Sequence, residues 1–215
     1  MKFEMTQLID DNKIIFFNEI TEHLLNDPIP SEYMNQVSTE ARFKEYPFQM
    51  LLRLKETEQS KKHHPEGNAW NHTMMVVDEA AKVKEQSKNK KALLWAALLH
   101  DIGKPDTTKV RRGRITSYDH DKVGEKLCRK FLQSLSNDDK FIDMVCDLVR
   151  YHMHILYILK ELPYADPKGL IKKVDIHEIA LLCRCDRLGR IGVNREEEED
   201  NYSKFLKSLQ ELNKK

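Results

Sequence analysis

Cysteine is scarce in this chain: the four in 215 residues, Cys128, Cys146, Cys183 and Cys185, are too few and too scattered for the disulfide framework of a small secreted domain. Reduced thiols in a cytoplasmic protein are the expectation. Long apolar runs are missing as well. Nothing approaches the ~20 residues that a bilayer span needs, and the opening Met1-Lys2-Phe3-Glu4-Met5 has no signal-peptide core. Neither sign of charge dominates, with Lys plus Arg at 36 against Asp plus Glu at 35 and a net charge of +1. General DNA binding and membrane association are therefore not expected, and any attraction to phosphate must be local. Glycine and proline number only 7 each, and runs of β-branched residues are few, which disfavours a sheet-rich fold.

What is present is apolar spacing at three and four, which predicts an all-α protein, and 40% hydrophobic content is enough for a real core. Residues 6 to 25 carry Leu8, Ile9, Ile15, Phe16, Ile20 and Leu24 on one stripe, ended by Asp27-Pro28-Ile29-Pro30. Further helices are predicted over 48 to 58, from His72 through Val83, over 90 to 101, and near 120 to 135, 138 to 154, 176 to 190 and 200 to 212. Residues 107 to 116 form a candidate short hairpin turning at Arg112-Gly113. The acidic run Glu196 to Asp200 should open the last helix and face solvent.

His100-Asp101 carries the most information. It closes the apolar run Ala92 to Leu99 and is followed by Ile102-Gly103-Lys104-Pro105, a turn with a cation just past it. A histidine beside a carboxylate at the end of a buried helix suits a divalent cation, and Lys104 an anionic substrate. His72 lies upstream in the first turn of its helix. His120 and His152 lie between, with Val145, Val149 and His152 sharing a face, and Asp186 shares the inward face of Ile179 and Cys183. A buried carboxylate must be paired, and a metal is one answer. His154 points elsewhere, Trp70 reads as a core anchor, and Cys183 and Cys185 fall on different helix faces.

Four segments carry a family resemblance: His64-Pro-Glu-Gly-Asn-Ala-Trp-Asn-His72, Ala96-Ala-Leu-Leu-His-Asp-Ile-Gly-Lys104, Asp119-His120 with Gly124-Glu125, and Cys185-Asp186-Arg187-Leu188-Gly189-Arg190. Over about residues 43 to 206 the chain resembles the HD superfamily of metal-dependent phosphohydrolases, and within it the HD domain of bacterial tRNA nucleotidyltransferases, the CCA-adding enzymes. The resemblance implies an HD-domain helical bundle over 43–215 behind an N-terminal helical extension over 1–42, the whole forming one compact unit. Deoxynucleotide triphosphohydrolases continue His-Asp-Ile-Gly-His where this chain has Lys104, and the Gly-Tyr-Pro element of cyclic-dinucleotide phosphodiesterases is absent after His152. The Gly-Ser and Asp-x-Asp signature of nucleotidyl transfer is also absent, so CCA addition is not expected.

The resemblance carries ligand roles to His72, His100, Asp101 and Asp186, with His120 and His152 as ligands of a second ion bridged by Asp101, or as substrate contacts. One or two divalent ions are implied: Mn, Ni, Co, Fe or Zn, with Mg also admissible. Such an ion acidifies a bound water into a nucleophile. A single histidine on an apolar face is more often a satisfied core residue, but the set at family spacing favours a metal site. Asp101, Lys104 and Glu66 are the catalytic candidates; Lys104, Arg111, Arg112, Arg114 and Arg187 are the substrate-binding ones. The implied function is a phosphodiesterase or phosphatase acting on nucleotides or RNA-end phosphates such as 2′,3′-cyclic phosphates. A di-iron oxygenase and a non-catalytic nucleotide-binding module are the alternatives.

Overall fold

The computed structural model describes residues 2–214, with side chains from Asp11 onward. Leu8 and Ile9 of the predicted stripe therefore lie outside the described side chains. The first helix, α1 (Lys2–Asn26), buries Phe16, Phe17, Ile20 and Leu24, whereas Ile15 is 62% exposed and does not belong to that face. The Pro-rich stop is real. Its second proline starts another helix, however, because proline at the first position has no N–H to waste and a φ already suited to the turn: α2 runs Pro30–Val37. Ser31 ties it to the next layer, donating from its backbone N–H and its hydroxyl to the two carboxylate oxygens of Asp78.

The helix expected over 48 to 58 is only α3 (Gln49–Leu52), tightening into a 3₁₀ turn over Arg53–Glu56. Beyond it the chain must be extended, since Ala69 donates to the Thr57 carbonyl and Glu58 pairs with Asn68. Asn68 then caps α4 (Ala69–Val83) by accepting from the Asn71 N–H, and Asn89 caps α5 (Lys90–Leu99) through Ala92.

Every residue from Ala92 to Leu99 is buried, so α5 is apolar all round and lies on the axis of the bundle, with α1, α4, α8 (Asp139–Tyr151) and α11 (Ile176–Leu188) packed about it. Phe17 stacks on Trp95 with ring centroids 4.6 Å apart, while the indole N–H of Trp95 donates to Thr21 Oγ1 at 3.0 Å. One hydrophobic core runs from Phe16 to Leu209.

A short helix, α6 (Lys104–Thr107), leads into the antiparallel hairpin of β1 (Lys109–Arg111) and β2 (Arg114–Thr116), where Val110 faces Ile115 across the register. Then come α7 (His120–Gln133), α9 (His154–Leu159), α10 (Pro167–Lys173) and α12 (Arg195–Asn213). The last helix opens at Arg195 with Asn194 as its cap, so the acidic run does open it as expected, ahead of the 200 to 212 that periodicity indicated. Its acidic first turn is not wholly solvated: Glu198 is buried against Arg187, and Glu199 accepts from Arg184. No helix among the described residues is long and apolar enough to cross a membrane.

Candidate metal centre

α5 ends at Leu99, which leaves His100 and Asp101 at the deep end of the most buried helix, 0% and 1% exposed. The turn after them rests directly on the start of α7. A Cβ at Gly103 would lie 2.1 Å from the His120 carbonyl oxygen and 2.6 Å from the Gly124 nitrogen, so only glycine permits this approach. That contact brings the Asp101 turn up against His120.

Four imidazoles converge here, and each is oriented by its Nδ1. His100 Nδ1 faces the Ala97 carbonyl at 2.8 Å, His120 the Ser117 carbonyl at 2.7 Å, His152 the Val149 carbonyl at 2.6 Å, and His72 the Gly189 carbonyl at 3.1 Å. A carbonyl can only accept, so Nδ1 carries a proton in each ring and Nε2 is the nitrogen aimed inward, the one a metal would take. Cys183 supports this framework by donating its thiol to the His152 carbonyl at 3.0 Å.

Asp101 stands between two groups of nitrogens. Its Oδ2 is 3.2 Å from His100 Nε2 and 3.9 Å from His72 Nε2, while its Oδ1 is 3.5 Å from His120 Nε2 and 3.9 Å from His152 Nε2. His72, His100 and Asp101 form one set of donor atoms within 4.8 Å of one another, and Asp101, His120 and His152 form another. His64, Glu66 and His72 make a third set at the outer side.

The charge states follow from burial. Asp101 Oδ1 and the Nε2 of His100 are buried without a hydrogen-bond partner, and Asp101 Oδ2 has only its ion pair to Lys104. Burial opposes the Asp101 charge, yet His100 and Lys104 hold its carboxyl well below the usual range; Asp101 in turn carries His100 above the ordinary imidazole value despite burial. Burial keeps His120 below its ordinary value, and burial with the neighbouring imidazoles takes His152 down to about 3. These last two rings are thus neutral, with their Nε2 atoms 3.1 Å apart. Two lone pairs facing each other repel, and a cation beside Asp101 Oδ1 is what would reconcile them. The donor set therefore fits divalent metal: the neutral imidazoles of His120 and His152, a buried carboxylate whose Oδ1 has no hydrogen-bond partner, and the orphaned Nε2 of His100.

Asp186 takes a flanking position. Its Oδ1 lies 3.0 Å from His72 Nε2 and accepts from Arg190 at 3.0 Å, so it adjoins the first set through His72. Since His72 Nδ1 already faces a carbonyl, the contact between Nε2 and a carboxylate needs a proton or a metal ion between them. Arg190, which the sequence offers as a group that flanks Asp186 and could orient it, sits just past the end of α11 and does pair with that carboxylate.

Lys104 is buried, its Nζ 2.6 Å from Asp101 Oδ2 and donating to Gln59 Oε1. Gln59 went unnoticed in the sequence, because it sits in an extended connection with no motif around it. Glu66 is set behind His72: its Oε1 is 3.2 Å from His72 Nδ1 and 2.8 Å from His64 Nδ1, on the far side of the ring from Asp101. The His64 ring falls to about 4 through burial. Arg187, expected at the substrate, is instead held by two hydrogen bonds to Glu198. Arg111, Arg112 and Arg114 stand on the exposed hairpin between α6 and α7. His154 accepts from the Asp166 N–H and joins none of the donor sets.

The family described as HD domain matches residues 69–191, which includes His72, His100, Asp101, His120, His152 and Asp186. The chain belongs to the HD domain family. This is a superfamily of the metal-dependent phosphohydrolase type. Among curated proteins, the HD chain is similar to the multifunctional CCA protein of Actinobacillus pleuropneumoniae serotype 5b (strain L20), 30% identical over 155 residues that cover 68% of this chain and 37% of the relative. The multifunctional CCA protein of Pasteurella multocida (strain Pm70) is 30% identical over 184 residues, covering 80% and 42% respectively. That of Halorhodospira halophila (strain DSM 244 / SL1) is 34% identical over 96 residues, covering 45% and 22%. The chain is thus an HD domain related to CCA-adding enzymes and spans well under half the length of these relatives.

Proposed function

We propose that this HD domain is a metal-dependent phosphohydrolase, a phosphodiesterase or phosphatase acting on nucleotides or RNA-end phosphates such as 2′,3′-cyclic phosphates. The observation that carries the reading is Asp101, one buried carboxylate whose two oxygens face two separate groups of imidazole nitrogens. In this reading His72, His100, Asp101 and Asp186 would hold one ion, and Asp101, His120 and His152 a second. A transition metal of the Mn, Fe, Co, Ni or Zn kind suits the nitrogen-rich set. When bound, it would neutralise phosphate oxygens and provide a water acidic enough to attack.

The protein's own groups divide the remaining work. Lys104 meets the phosphate oxygens as a buried point charge. Glu66 is a positioning residue, fixing the His72 ring through Nδ1. Arg190 restrains Asp186. Multifunctional CCA proteins as relatives support a nucleotide or an RNA end as the substrate class. Residues 43–215 form the HD unit in this proposal, and 1–42 an added helical layer that shares its core. Four free, buried thiols suit a reducing, cytoplasmic setting.

The test is a metal screen run against a panel of nucleoside mono-, di- and triphosphates, cyclic phosphates and aryl phosphates. Asp101→Ala should lose hydrolysis by more than about a hundredfold, since even outer-shell changes at such sites cost 10–100-fold, and metal stoichiometry should fall with it. Far-UV circular dichroism should keep its helical signal. Retained metal and turnover in that variant would show the centre to be misassigned. Turnover that requires dioxygen and iron would favour the oxygenase alternative, for which His120 and His152 would be the added ligands.

A further inference from the structure

We propose that the β1–β2 hairpin is a cationic arm that binds single-stranded nucleic acid upstream of the reacting end, so that this chain prefers an oligonucleotide to a mononucleotide. The proposal deepens the phosphohydrolase reading and rests on it for the direction of the strand.

The first observation is one of charge. Among the described residues every arginine outside the hairpin, from Arg42 to Arg195, is ion-paired with a carboxylate. Arg111, Arg112 and Arg114 have no such partner. The carboxylates nearest along the chain are already engaged: Asp106 with Arg53, Asp119 with Lys122 and Asp121 with Arg150. In a protein of net charge +1, three guanidinium groups without a carboxylate partner within four residues make a concentrated local positive charge.

The second concerns the turn. Arg112 and Gly113 have φ of 50° and 73°, the pair of positive values that lets a two-residue turn follow the strand twist. Asparagine would take the first position with less strain than arginine does. The tip of the hairpin thus carries a cation where turn chemistry alone would favour another residue. The arm stands out from the bundle: β1 is exposed throughout, Val110 is 74% exposed and Tyr118 61%, while Ile115 and Thr116 of β2 are half-buried. Arg111 lies over the Tyr118 ring at 4.9 Å, which places a planar cation and an aromatic face side by side, the combination on which bases stack and backbones track.

The third is where the arm is rooted. Its incoming end follows α6, whose first residue is Lys104, and its outgoing end is Ser117, whose carbonyl fixes His120. Thr108 and Ser117 clasp the base through their hydroxyls at 2.7 Å. At about 3.3 Å per residue, strands this short hold the tip about 10 Å from that base. A strand whose terminal phosphate reached Asp101 and Lys104 would pass along the arm.

The experiment is fluorescence anisotropy with a labelled single-stranded RNA of about ten nucleotides, within the range of single-strand site sizes, titrated at several salt concentrations. The parent protein is compared with the triple variant Arg111→Ala, Arg112→Ala, Arg114→Ala and with Tyr118→Ala. The triple variant should bind at least about tenfold more weakly, and its slope of log affinity against log salt should flatten by about two, from three lost phosphate contacts at about 0.7 each. Tyr118→Ala should weaken binding about fivefold or more, as loss of one stacked base does. The ratio of kcat/KM for an oligonucleotide over that for a mononucleotide should collapse in the triple variant. Unchanged affinity, or an equal fall on both substrates, overturns the arm. If the parent turns over no phosphate ester but the triple variant still loses RNA, the arm stands and the phosphohydrolase reading falls.

Discussion

At Asp101, each oxygen addresses different nitrogens. If His120 and His152 hold an ion of their own through Oδ1, then His120→Ala with His152→Ala should lower the metal content by one equivalent and leave the ion at His72 and His100 in place. Elemental analysis of protein saturated with Mn decides it, and a parent protein that holds a single ion sinks the two-ion assignment. Diester cleavage should slow by about a hundredfold or more, because one cation must then stabilise both the attacking and the leaving oxygen. Periodicity put Asp186 on the inward face of its helix and the end of an apolar run marked His100 and Asp101, but grouping them with His72 rested on the family resemblance. The Nδ1 anchors were not legible in the sequence. Backbone carbonyls at Ala97, Ser117, Val149 and Gly189 have no sequence signature, and Gln59 beside Lys104 sits in a connection that no periodic rule describes.

Among the elements, the long amphipathic helices declared themselves and the short ones did not. α2, α9 and α10 have eight, six and seven residues, too short for two repeats of a stripe, and they form because capping, prolines and tertiary contacts hold them. The hairpin was readable from Arg112-Gly113, and α12 began early because Asn194 caps it. The packing of the Asp101 turn on α7 can be tested at Gly103. Gly103→Ala puts a methyl group against the His120 carbonyl and should cost about 1–3 kcal/mol of stability while lowering metal retention, measured by thermal melts and elemental analysis. A variant that melts and binds metal like the parent would show the turn to be free to move. The docking of α12 on α11 is a separate case. Burial opposes the Glu198 charge, yet Arg187 and Asn201 hold its carboxyl below the ordinary range. Because the folded value lies below the unfolded one, its contribution is complete above about pH 4.5 and fades as pH falls through the lower folded value. Glu198→Gln should therefore lower the melting temperature at pH 7 and narrow the gap to the parent at pH 3. A gap that does not change with pH would remove the ion pair from the account.

On the scale of the whole molecule, the candidate centre draws on widely separated parts of the chain: His72 from α4, His100 and Asp101 from the end of α5, His120 from α7, His152 from the end of α8 and Asp186 from α11. These elements share one core, so a cation bound at their meeting point stabilises the folded chain and has no counterpart in the unfolded one. In its absence, the facing Nε2 atoms of the neutral His120 and His152 rings work against the packed state. Metal should thus raise thermal stability by mass action, by about 2.7 kcal/mol when free metal is a hundred times its dissociation constant. For a domain of this size that corresponds to roughly 5–10 °C. Chelator treatment should lower the melting temperature by that amount, and re-addition of Mn, Co or Ni should restore it, whereas Asp101→Ala should melt at one temperature with or without metal. The readout does not depend on finding a substrate. A parent protein whose melting temperature ignores both chelator and metal would show that the convergence of histidines around Asp101 holds no ion at all.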